Sequence, residues 1–154
     1  MTLEERIEKL ESESAIRRLK ARYLNACDRK DVDAMRACFT ADAVIDFPPL
    51  GEFNLDTLTD IFTQMSVNTP ITDVHQGHNG EITIEGQTAK GIWNLGFATY
   101  NPEDKSFRLL SSFYHDTYIK TEDGWRINYT RSDPRAIIDG ILKDTDLTAQ
   151  WVKN

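Results

Sequence analysis

The amino-acid sequence predicts an α+β domain in which N-terminal helices pack inside a strongly curved antiparallel sheet, giving a cone with an interior. Three observations carry this expectation. Apolar residues recur at helical spacing through the first part of the chain, while long β-branched and aromatic runs joined by turns fill the second. One of those runs, from Ser106 to Thr121, is well beyond the usual strand length, and a strand that long must coil or bulge to stay packed. Helices first and a meandering sheet afterwards describe the α+β class.

From Thr2 to Asp28, Leu3, Ile7 and Leu10, then Ile16, Leu19, Tyr23 and Ala26, mark one long helix with Tyr23 on its buried stripe. Thr2 and Glu5 have capping-box spacing. After the polar turn Arg29-Lys30-Asp31, the segment from Val32 to Phe39 reads as a short second helix, ended by Thr40-Ala41-Asp42. Ala43 to Phe47 is a β-branched and aromatic strand, closed by Pro48-Pro49 because proline donates nothing to a ladder. Leu55, Leu58, Ile61, Phe62 and Met65 give a third helix, capped by Asn54 and stopped before Pro70.

Four strands are expected next: Thr72 to Ile84, Ala89 to Tyr100, Ser106 to Thr121, and Gly124 to Thr130, with Gly77, Gly80, Gly91 and Gly96 placed where bends could occur. The tail from Ala136 carries Ile137, Ile138, Ile141 and Leu142, which suits a short helix, and Trp151 near the terminus is expected to dock on the body or on another subunit.

With 154 residues the chain is expected to form one domain, residues 1–154, long enough to bury roughly 70% of its unfolded surface. A formal charge of -7 opposes approach to nucleic acid or an anionic membrane. No apolar run approaches the roughly 18 residues of a membrane span. The expectation is a cytoplasmic protein that takes a small hydrophobic molecule. Cys27 and Cys38 are too few for a disulfide framework and wrongly spaced for a zinc knuckle.

His75 and His78 form H-x-x-H, but strand residues three apart face opposite sides, so no metal and no cofactor is expected. There is no phosphate loop and no nucleophile elbow. What remains is general acid-base chemistry: an imidazole held by a carboxylate beside a phenol. Tyr23 and Asp28, five positions apart at the end of the first helix, are the first parts of such a set, although Tyr23 also suits an ordinary core and Asp28 a solvated turn. Phe47, Phe62, Trp93, Leu95 and Phe97 are candidates for an apolar lining.

Several runs carry a resemblance. Ala15-Ile16-Arg17-Arg18-Leu19 through Tyr23 and Asp28, Asp31 to Phe39, Val74 to Asn79 with Glu81 to Ile84, Gly91-Ile92-Trp93, and Tyr114 to Tyr118 leading to Gly124-Trp125-Arg126-Ile127 occur in order. Together they resemble the SnoaL-like proteins of the nuclear-transport-factor-two-like superfamily, and within it the dehydratase branch that holds bile-acid and scytalone dehydratases.

The resemblance implies a catalytic set of Tyr23, Asp28 and His75, with an arginine after the last strand at Arg135 and Arg131 as its competitor. It also implies a departure, because Phe97 stands where the bile-acid enzyme carries a second pocket carboxylate. A cofactor-free dehydratase acting on a hydroxylated cyclic carbonyl compound, aromatic or polycyclic, is the leading expectation. An isomerase or cyclase using the same pocket and a non-catalytic binding or assembly module are the alternatives. Phe47, Phe62, Trp93, Phe97, Tyr114 and His115 are the expected substrate-binding residues. Tyr114, Tyr118 and Leu110 share one parity of the long strand and read as an apolar outer face, while Phe113 and His115 on the other parity compete for the interior. That apolar face points to a homo-oligomer, and the resemblance favours a trimer over a dimer.

Overall fold

A computed structural model of the chain describes residues 1–143, so Trp151 lies outside the described residues. Helix α1, Leu3–Asp28, starts with the expected capping box: Glu5 N–H donates to Thr2 Oγ1 at 3.2 Å and Thr2 N–H donates to Glu5 Oε2 at 2.7 Å. Its buried residues begin at Ser12 and run through Ile16, Leu19, Tyr23 and Ala26. Leu3, Ile7 and Leu10 are exposed, because a helix of 26 residues, about 39 Å long, outreaches the sheet it crosses.

Helix α2 is shorter than its apolar spacing predicts, Val32–Arg36, with Asp31 capping it at Ala34 N–H. Phe39 belongs to the strand that follows, β1, Phe39–Asp46, and is buried. A short β2, Glu52–Asn54, unforeseen from sequence, pairs antiparallel with β1 and leads into α3, Leu55–Phe62, which continues as a π-helical turn over Thr63–Val67. Then come β3, Thr72–Glu85, β4, Thr88–Tyr100, β5, Ser106–Thr121, and β6, Gly124–Ile141. The strand order is β2-β1-β6-β5-β4-β3, with β1 parallel to β6 and the other pairs antiparallel.

Strand β6 corrects the tail. Ile137, Ile138 and Ile141 continue the ladder opposite Leu110, Leu109 and Ser106, so no helix forms there: β5 is long enough to offer partners the whole way. Two extra residues in β6, Asn128 and Arg135, have no direct partner on β5. Each bulge reverses which alternate side chains face inward.

The inward parity of β5 is Arg108, Leu110, Ser112, Tyr114, Asp116 and Tyr118. Tyr114 and Tyr118 are therefore core residues, 5% and 0% exposed, and the reading that put them on an outer face is overturned. The helices cover this parity, and the loss of apolar area to water decides the matter. The outward parity still carries Val74, Ile92, Leu109, Ile119 and Ile138, each more than a third exposed.

Trp93 is buried in the core. Its indole donates to Tyr118 Oη at 2.9 Å, and its ring lies where a Cβ on Gly80 would sit only 2.3 Å from Cζ3. Gly80 is thus required by close approach rather than by a turn.

Candidate active site

The last turn of α1 delivers Tyr23, Cys27 and Asp28 to one end of the cone, where β3 and β4 present His75 and Phe97 on their inward faces in direct register. A cavity of about 270 Å³ opens there, walled by Tyr23, Phe47, Phe62, His75, Phe97 and Tyr114, with Met65 and Leu50 near its rim. Helix α3 and the π-helical turn form its lid side, and Lys30 holds that turn by donating to the carbonyls of Ser66 at 2.7 Å and Thr69 at 2.9 Å.

His75 and Asp28 are joined through both backbone and side chain. His75 N–H lies 3.0 and 3.1 Å from the two Asp28 oxygens, and His75 Nδ1 lies 2.6 Å from Oδ1. A carboxylate accepts and does not donate, so Nδ1 carries the proton and Nε2 is left as the basic nitrogen. The imidazole packs against Phe97, centroids 4.6 Å apart, which fixes its plane.

Two phenols share the far wall. Burial pushes the pKa of both Tyr23 and Tyr114 far above the usual phenol range. Each neutral hydroxyl can donate its proton to a ligand oxygen. Behind them Lys20 Nζ sits 3.7 Å from the centroid of the Tyr114 ring and pairs with Asp116 Oδ2 at 2.8 Å. Asp116 also accepts from Tyr118 Oη and Thr130 Oγ1, each at 2.7 Å. Burial lowers the Lys20 pKa despite that partner. Cys27, at the edge of the cavity, has its thiol pushed up to about 12, chiefly by burial, and is held as a neutral wall group.

Four sequence-based candidates do not reach the cavity. Arg135 is the bulged residue of β6: it is exposed and its guanidinium lies over Phe113, 5.7 Å from the centroid, on the outer face. His115 has the outward parity of β5 and faces Asp133, Nε2 to Oδ2 3.3 Å, with 44% of its side chain exposed. Trp93 is buried in the core and does not line the cavity. Arg131 is tied to Asp46 and to Asp133 and lines no part of the cavity. The arginine that lines the cavity is Arg108, and the carboxylate is Asp73; neither was singled out from sequence. Parity could have found Asp73, which stands two residues before His75 on the same strand and hence on the same face.

A long helix laid in a strongly curved, unclosed six-stranded sheet, with acid-base groups inside, is the cone of the nuclear-transport-factor-two-like proteins. The chain belongs to the SnoaL-like domain family, whose pattern matches residues 8–131. Among the solved structures similar to it, three serve as examples. One is from Novosphingobium aromaticivorans and described as a candidate aromatic ring hydroxylase: 25% identical, TM-score 0.78, covering 85% of this chain and 94% of that one. The second is a hexachlorocyclohexane dehydrochlorinase, LinA type 2, at 16% identity and TM-score 0.79, covering 95% and 99%. The third, also from Novosphingobium aromaticivorans, is described as a candidate scytalone dehydratase, at 17% identity and TM-score 0.78, covering 88% and 91%. At the identities of the last two, the likeness concerns the fold.

Proposed function

We propose that the chain is a lyase of the dehydratase type, removing water from a hydroxylated cyclic carbonyl compound with side chains alone. The observation that carries this reading is His75, held by Asp28 at 2.6 Å, on the wall of an apolar cavity that also holds two phenols. Relatives by fold described as a dehydrochlorinase and a candidate dehydratase make an elimination the natural chemistry to test.

In this mechanism His75 Nε2 takes the proton from the carbon next to the carbonyl. The electron pair of that C–H bond becomes the new C=C bond, and the C–O bond to the hydroxyl breaks. The imidazolium, held by Asp28, returns the same proton to the departing oxygen, so water leaves and His75 is regenerated. The Tyr23–Tyr114 pair donates a hydrogen bond to the carbonyl oxygen as negative charge gathers there. Because burial holds both phenols neutral, they serve as hydrogen-bond donors and the proton to the leaving group comes from His75. The cavity is at the small end of ligand pockets, which run to roughly 300–1,000 Å³, so a mono- or bicyclic substrate fits better than a steroid.

The test is a panel of cyclic β-hydroxy ketones followed by enone absorbance and product mass. Loss of water that falls by about 10²- to 10⁴-fold in His75→Ala supports the reading. A product of unchanged mass assigns the dyad to isomerisation, and turnover in His75→Ala equal to that of the parent overturns the mechanism.

A further inference from the structure

One row of the sheet, two residues from the His75 row, is polar from edge to edge. Asp73 on β3 pairs with Thr99 on β4, Thr99 with Arg108 on β5, and Arg108 with Asp139 on β6. The corresponding row through His75 reads His75, Phe97, Leu110 and Ile137, apolar beyond the histidine. Asp73, Thr99 and Arg108 all line the cavity. At the strand rise, the two rows stand about 7 Å apart.

The partners in the polar row are unequally distributed. Arg108 is engaged by Asp139 through Nε at 2.7 Å and Nη2 at 2.9 Å. Asp73, 7% exposed, receives Ser66 Oγ on Oδ2 at 2.5 Å. Asp73 Oδ1 and Thr99 Oγ1 are both buried, and neither has a hydrogen-bond partner among the described residues. They sit on directly opposed residues, whose Cβ atoms stand about 5 Å apart in an antiparallel pair. Leaving two such groups unmatched is unfavourable, so a group that satisfies both is favoured there.

We propose that Asp73 and Thr99 form a second polar subsite of the cavity, specific for a hydroxyl group about 7 Å from the carbon that faces His75. A hydroxyl donates to Asp73 Oδ1 and accepts from Thr99 Oγ1 through the same oxygen. A carbonyl would satisfy Thr99 and face the carboxylate with a second acceptor, and an ammonium could donate to both oxygens but would leave the Thr99 proton without an acceptor. The substrate class is thereby narrowed to cyclic carbonyl compounds with a distal hydroxyl, an inference that rests on the cavity being the substrate site.

The experiment is calorimetric titration of the full chain with 2-tetralone and with 6-hydroxy-2-tetralone, which differ only in the distal hydroxyl. The hydroxylated ketone is expected to bind about ten-fold more tightly. That preference should vanish in Thr99→Val and should persist in His75→Ala. Asp73→Ala should also abolish it, and if loss of the Ser66 partner unfolds that variant, Thr99→Val decides. Equal affinities for the two ketones, or a preference that survives Thr99→Val, overturn the subsite and leave the dehydratase reading standing. Failure of both ketones to bind overturns the subsite together with that reading.

Discussion

Asp28 and His75, 47 positions apart, meet through three contacts: both carboxylate oxygens receive the His75 backbone N–H, and one of them also receives Nδ1. The backbone contact fixes where the carboxylate sits, and the ring contact then fixes the tautomer. Position and protonation are set by the same pair of residues.

Asp28→Asn keeps the shape but places an NH₂ against a backbone donor and offers Nδ1 a poorer partner. Turnover is expected to fall by about 10²-fold, with the loss mainly in kcat. Steady-state kinetics of the purified variant against the parent checks this.

The phenol pair predicts a non-additive result. Tyr23→Phe or Tyr114→Phe alone leaves one hydroxyl proton for the ligand oxygen, so each should lower kcat by about ten-fold or less. The double variant removes the last donor and should lose about 10²- to 10³-fold. Single variants as damaging as the double would show that only one hydroxyl is used.

Alkaline titration gives a signed expectation. Tyr23, Tyr114 and Tyr118 are all held protonated by burial, so in the folded chain they keep protons that the unfolded chain releases near pH 10. Their contribution to stability is complete below about pH 10 and falls as pH rises above it, by up to about 4 kcal/mol per pH unit for three groups. Lys20 works in the opposite sense below about pH 10.5, because its folded-state pKa is lowered. Tyrosinate absorbance should therefore rise for these three only when circular dichroism reports unfolding.

The Lys20–Asp116 pair, with side chains 2% and 0% exposed, makes a stability prediction independent of any activity. Lys20→Met strands a buried carboxylate and Asp116→Ala strands a buried ammonium; each should destabilise by about 3–5 kcal/mol. The double variant should lose clearly less than the sum of the two. Urea unfolding of the three proteins measures the coupling.

The helices and the meander were legible in the sequence because their signals are local: the Thr2–Glu5 box, the Asn54 cap and the alternation through Trp93, Leu95 and Phe97. Tyr23, His75, Phe47, Phe62, Phe97 and Tyr114 line one cavity, and Asp28 is tied to it through His75. Arg135 and His115 were misplaced for one reason. Which parity faces inward is decided by what the helices cover, and an unseen bulge reverses it midway along a strand. Asp73 could be placed on the His75 face by its spacing, but its relation to Thr99 and Arg108 lies in cross-strand register, which no spacing along the chain reveals. The tail was read as a helix because Ile137, Ile138 and Ile141 suit either period, and only the length of β5 decides.

The bulge at Arg135 gives β6 something like a slack link. The extra residue has no partner on β5, so removing it would leave Ile137 opposite Leu110 and Asp139 opposite Arg108, with every downstream pair kept. In such a strand a single-codon deletion at the bulge is absorbed without disturbing the mouth of the pocket, while the register nearer the turn, Trp125 and Ile127 included, stays as it is.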